Sequence, residues 1–144
     1  MVVQVKHDCK IELHKVALKA TPARLATLKV LEAASKPLDV ATIKSKLKKD
    51  GINADPATIF RMMNSFSDKG LVREINLQES KLRYEYSAKE DHHHLLCESC
   101  GSIEDISDCN IETWEKELRE KKGFMIKHHS LEFFGLCKNC QKLI

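Results

Sequence analysis

The strongest constraint on this chain is a pair of CxxC motifs, Cys97 with Cys100 and Cys137 with Cys140, separated by 36 residues. Four thiolates are the number that closes a tetrahedral zinc site and leaves no position for water, and a closed site is structural. Joining pairs so far apart staples the two ends of a back segment that is too small to rely on its apolar core. Redox disulfides or an iron–sulfur cluster are the competing uses. A redox pair needs each CxxC at a helix N-terminus to depress a thiol pKa, but Cys97 follows the strand-like run His92-His93-His94-Leu95-Leu96, and Gly101 breaks the chain after Cys100. The N-terminus carries Lys6, Asp8 and Lys10 where a signal peptide would be apolar, and no run approaches the roughly 18 apolar residues of a membrane helix. A cytoplasmic protein with reduced thiols and no membrane partner is expected.

Charge divides the chain in the same place. Residues 1–90 hold 17 Lys and Arg against 11 Asp and Glu, a net +6, whereas residues 91–144 hold 7 against 10, a net −3. A basic front half suggests an electrostatic partner, and an acidic half rich in His and Cys suggests a metal.

In the front half, Leu13, Val16 and Ala17 recur at helical spacing and predict a first helix near residues 8–19. Thr21-Pro22 is a cap followed by a proline at the first helical position, and it starts a second helix that runs to Ala34 with Leu25, Leu28 and Leu31 on one stripe. Asp39 caps a third. Val40, Ile43 and Leu47 share its inner face, Lys44, Lys46, Lys48 and Lys49 take the others, and Gly51 ends it. Asp55-Pro56 repeats the start signal for a fourth helix, which faces Ile59, Met62, Met63 and Phe66 inward and Thr58, Phe60, Arg61 and Ser65 outward, and stops at Gly70. The period then changes to alternation over 71–75 and 81–86, which is a hairpin. Helices followed by a two-stranded hairpin are the order of a winged helix-turn-helix, whose last helix enters the major groove of DNA. A solvated bundle whose lysines only confer solubility is the plainer alternative.

Before the first CxxC, Asp91-His92-His93-His94 reads as strand, so His92 and His94 point one way and Asp91 and His93 the other. That alternation offers two sites. Glu85 at the hairpin's end, Asp105, Glu112 on the next helix and His128-His129 on a final strand are the ligand-type residues that could complete them. Ile111, Trp114 and Leu118 form that helix's buried stripe and leave Glu112 off it.

The run from Leu18-Lys19-Ala20-Thr21-Pro22 through Ala57-Thr58-Ile59-Phe60-Arg61, Gly70-Leu71-Val72, the Asp91–Gly101 segment, His128-His129-Ser130 and the second CxxC resembles the ferric uptake regulator superfamily. The resemblance implies a homodimeric, metal-dependent transcription factor that represses genes of metal uptake or peroxide defence. The fold implied is α+β: a winged helix-turn-helix over 1–85, followed by a small α/β dimerisation domain over 86–144 with the four-cysteine zinc site. The resemblance assigns structural zinc to Cys97, Cys100, Cys137 and Cys140. It assigns a regulatory divalent ion, zinc, iron or manganese, to Glu85, His92, His94 and Asp105 between the domains. A further site matches His93, Glu112 and His129, with Asp91 as an additional ligand, and contacts to double-stranded operator DNA match Lys15, Thr58, Phe60 and Arg61.

Two positions depart from the family pattern. Phe60 stands where a tyrosine is usual, and Ser35-Lys36-Pro37 where many members place a regulatory-site histidine. A protonated Lys36 donates and does not ligate, so two histidines and two carboxylates remain. This departure counts most against a peroxide sensor, which in the family relies on five-coordinate iron. From another class, a zinc hydrolase could use His92, His94 and His129 with Glu112 as base, but it leaves the basic helices and the wing without a use. A zinc-stapled protein-interaction module would bind no DNA with or without metal.

Overall fold

The computed structural model describes residues 8–88, 92–107, 109–127 and 129–144. Asp91 and His128, singled out above, lie outside the described residues. The chain divides into two compact units, Met1–Lys89 and Glu90–Ile144.

The first unit runs α1 (Cys9–Lys15), α2 (Pro22–Ala33), β1 (Leu38–Asp39), α3 (Val40–Lys49), α4 (Pro56–Asp68), β2 (Val72–Ile75) and β3 (Arg83–Tyr86). Each helix is started by a side chain that accepts from a first-turn amide: Asp8 from Lys10 and Ile11, Thr21 from Arg24, Asp39 from Thr42 and Asp55 from Thr58. Gly51 and Gly70 close α3 and α4 in the left-handed region at φ 77° and 75°. There the Ile52 and Leu71 amides donate back to the Leu47 and Phe66 carbonyls, satisfying end groups that the helix cannot. The first helix is shorter than its periodicity suggested. Ala17 takes φ 60°, and Leu18 N–H donates to the Leu13 carbonyl. A non-glycine residue in that conformation leaves no sequence signal for the stop.

β3 is central, with β2 antiparallel on one side and β1 on the other. β1 is two residues long, too short for an alternation to show. The last hairpin pair is Val72 with Tyr86, and Ser87 N–H donates to the Leu71 carbonyl, so both residues belong to the first unit. Leu13, Leu28, Leu31, Ile43, Leu47, Ile59, Met63, Phe66, Tyr84 and Tyr86 are buried together under this sheet and the helices. Tyr86 also donates its hydroxyl to Glu12, tying α1 to β3.

The second unit has β4 (His93–Cys97), β5 (Ile103–Ile106), α5 (Ile111–Lys122), β6 (Glu132–Gly135) and α6 (Lys138–Gln141). β4 lies between β5, antiparallel, and β6, parallel, so α5 lies on the crossover between parallel strands. Two sequence expectations change here. His129 precedes β6 rather than lying on it. The α5 stripe is not buried: Trp114 is 61% exposed and Leu118 47%. No other element among the described residues packs closely against α5, so its apolar stripe stays uncovered. Among the described residues of this unit, the buried apolar side chains are Leu96, Cys97, Ile103 and Cys140, and two of those four are thiols of the CxxC pairs. No helix among the described residues is long and apolar enough to cross a membrane.

Candidate metal centres and the exposed recognition helix

The thiol sulfurs of Cys97, Cys100, Cys137 and Cys140 all lie within 4.8 Å of one another, with Cys100 and Cys137 3.9 Å apart. The first pair sits in a tight turn after β4. Gly101 N–H donates to the Cys97 carbonyl, and Cys97 N–H to the Ser102 carbonyl. The second pair opens α6, with Cys137 at its N-cap.

Electrostatics prepare the cluster for a cation. Backbone N–H groups of Cys100 and Cys137 hold the Cys97 thiol down at about 6, and the Ser102 hydroxyl and amide lower Cys100. Ser99 pulls Cys140 down too, but the Cys137 thiol beside it, burial and the other two cysteines outweigh this and leave it at about 12. Four thiols so close cannot all ionise alone, and a dication at their centre lets them. One cluster of four, rather than two separate pairs, fits tetrahedral zinc and gives redox pairing no advantage.

Alternation along β4 separates the histidines. His94 is 2% exposed and sits opposite Asp105 in the β4–β5 register, with Nε2 3.7 Å from Oδ1. His92 shares that face, its ring centroid 4.9 Å from that of His94. Two imidazoles with a carboxylate are a donor set for zinc, iron(II) or manganese(II).

His93 faces the other way, with Nδ1 3.1 Å from the Leu131 carbonyl and its ring 5.1 Å from that of His129. Burial and the neighbouring His129 lower its pKa. The partner of His129 is Glu115, at 2.7 Å. Glu112, one turn earlier on α5, is exposed and takes no part in that contact among the described residues. Sequence reasoning missed Glu115, although a residue three positions from Glu112 shares its side of a helix.

In the first unit, Glu85 is buried on β3 against Arg73, its cross-strand neighbour on β2, at 3.2 Å. Arg73 was also missed, because the polar loop between the strands leaves the register open. On α4, Phe60 is 46% exposed beside exposed Arg61, whose guanidinium reaches the Thr58 hydroxyl. Lys15 is exposed at the end of α1, and Lys36 is half-buried in the turn before β1.

A winged helix-turn-helix joined to a thiolate-stapled α/β unit that also carries an imidazole–carboxylate cluster defines a metal-responsive transcriptional regulator. The profile of the Ferric uptake regulator family matches residues 15–134, and the chain belongs to that family. It is 33% identical to the peroxide-responsive repressor PerR of Staphylococcus saprophyticus over 134 residues, covering 93% of this chain and 90% of that protein. Among solved structures, the Vibrio cholerae ferric uptake regulator aligns with TM-score 0.77 and 32% identity, over 90% of this chain and 100% of its own. The Pseudomonas aeruginosa regulator with manganese aligns at 0.79 and 26%, over 92% and 99%.

Proposed function

We propose that this chain is a homodimeric repressor of metal-homeostasis genes, acting in the cytoplasm without catalysis, whose operator binding is switched on by a divalent ion at Glu85, His92, His94 and Asp105. The observation that carries this reading is the enclosure of His94 with Asp105 opposite and His92 alongside, which brings two imidazoles and a carboxylate together. Glu85 supplies a second carboxylate from β3 of the DNA-binding unit. Bound there, an ion would link the hairpin to the strand that follows it. A ligand shifts such an equilibrium only by its differential affinity, so operator DNA raises metal affinity by the same factor. The first unit acts as the DNA-binding domain and the second as the dimerisation domain, with the boundary just past Ser87 rather than at residue 85. The uncovered apolar surface of α5, with Leu95 and Phe133 exposed as neighbours on β4 and β6, supports a second copy as what covers the back unit. Lys15, Thr58, Phe60 and Arg61 are the proposed DNA contacts. Asp91, His93, Glu112 and His129 are the proposed further site.

Titration of metal-depleted protein with zinc, iron(II) and manganese(II), read by operator binding, tests this reading and names the ion. Operator affinity that ignores all three would overturn it.

The likeness to PerR favours a second reading, a peroxide-responsive repressor. Iron(II)-loaded protein treated with hydrogen peroxide would then gain an oxygen atom on His92 or His94, seen by mass spectrometry, and release DNA. Unmodified histidines and retained DNA binding would eliminate it.

A further inference from the structure

The hairpin register sets Arg73 directly across from Glu85, and Arg73 Nη2 lies 3.2 Å from Glu85 Oε1. The two ends of this pair are unequal, for the Glu85 side chain is 3% exposed and that of Arg73 32%. A buried carboxylate stays ionised only beside a compensating charge, whereas a guanidinium on a long stem moves readily into water. We propose that Arg73 is a built-in competitor for the regulatory metal: it neutralises Glu85 in the metal-free protein and thereby raises the metal concentration at which the regulator responds. This rests on the reading of Glu85 as a ligand of that metal.

Formal charge carries the argument. Glu85 and Asp105 are the two negative groups of the proposed set, and neutral His92 and His94 add none, so one dication balances it completely. With Arg73 still against Glu85, the set carries one positive charge too many, within contact distance of a ligand. With Arg73 withdrawn, the guanidinium has given up its ion pair. Either course weakens metal binding relative to a hairpin with no cation at position 73. A positioning role, in which Arg73 aims Glu85 at the ion, predicts the opposite sign. The structure favours competition because Arg73 is the less buried partner, 32% exposed against 3% for Glu85.

The test uses the full-length, zinc-replete protein stripped of weakly held metal and titrated with manganese(II), free ion being counted by electron paramagnetic resonance. Arg73→Gln should bind manganese at least tenfold more tightly than the parent, and Arg73→Lys, which keeps the charge, within threefold of it. If the metal-free Gln variant does not fold, Arg73→Met, which keeps the packing stem, takes its place with the same expectation. Unchanged or weaker binding in the neutral variant, or a tenfold gain in the Lys variant, overturns the proposal. Glu85→Gln separates the two levels. If it binds manganese as the parent does, the assignment of the regulatory site is wrong; if it loses binding while the neutral variant at 73 matches the parent, only the role of Arg73 is wrong.

Discussion

Replacing Cys97 by serine should cost the back unit its fold. Its thiol is held down, at about 6, by the amides of Cys100 and Cys137, which favours the thiolate form that a metal binds. Serine supplies no such anion. A structural zinc contributes about 10–16 kcal/mol to a small domain at neutral pH. An ordinary 55-residue unit has at most about 8 kcal/mol of net stability, at ~0.15 kcal/mol per residue. Losing the site therefore exceeds what the unit has, and with Leu96 and Ile103 as the buried non-thiol apolar side chains among its described residues, packing cannot replace it. The aromatic residues make this measurable in the intact chain. Trp114 is the single tryptophan and lies in the back unit, while the two tyrosines, Tyr84 and Tyr86, are buried in the front unit. Cys97→Ser should abolish bound zinc, dimerisation and the cooperative tryptophan transition together, and should leave the tyrosine near-ultraviolet signal in place. A zinc-free variant that sediments as a dimer and melts like the parent refutes the structural assignment.

Other perturbations test the remaining parts. Arg61→Ala should weaken operator binding with metal content unchanged. A cost of about 1–3 kcal/mol confined to one base position identifies a guanine contact, a uniform loss with a shallower salt slope identifies a phosphate contact, and unchanged binding at all salt concentrations removes α4 from the interface. His92→Ala should abolish metal-activated DNA binding while keeping zinc and the dimer. His93→Ala, facing His129, should lower metal stoichiometry or stability with partial regulation retained, and the reverse pattern would move the switch to the His93 side. Burial would raise the Asp39 carboxyl, but the hydrogen bonds from Lys81 and Thr42 outweigh it and hold the group at about 2. A depressed folded pKa stabilises above the unfolded value, about 3.9, and is lost as pH falls through about 2. Asp39→Ala should therefore cost roughly 2 kcal/mol at neutral pH, less to the extent that half-exposed Lys81 is screened. The two melting curves should converge between about pH 4 and about pH 2, and a pH-independent gap would refute the account.

The sequence carried most of the front unit because its signals are local. A cap and a proline start α2 and α4, a cap starts α3, and glycines end α3 and α4. Where the structure uses a residue with no such signature, legibility fails: Ala17 stops α1 without being glycine, and β1 is too short to alternate. The four-thiolate site was legible because two identical spacings each place two thiolates on one turn, whatever the fold between them. Glu115 and Arg73 were not legible, since each acts through a pairing set by the packing of α5 or by the strand register. The burial of Trp114 and Leu118 was misjudged for a different reason. Amphipathic spacing shows that a face needs cover but not whether the same chain supplies it.

β4 carries candidate donors of the four-thiolate cluster and of the proposed regulatory site within five residues, His94 standing three positions before Cys97, and the chemistry of the donors would keep their ions apart. Soft thiolates suit a permanently held zinc, whereas imidazole and carboxylate form a harder set suited to an ion that exchanges with the cell's pool. Hydrogen bonds around the cysteine cluster tie down one end of β4, with Glu98 N–H donating to the Gly135 carbonyl and Cys137 N–H to the Cys97 sulfur, and a zinc bound there would hold it further. A strand held at that end presents the His94 ring opposite Asp105 before any regulatory ion arrives, so less ordering is left for binding to supply. On the proposed assignment of the regulatory site, the structural metal would be a precondition of the sensing one.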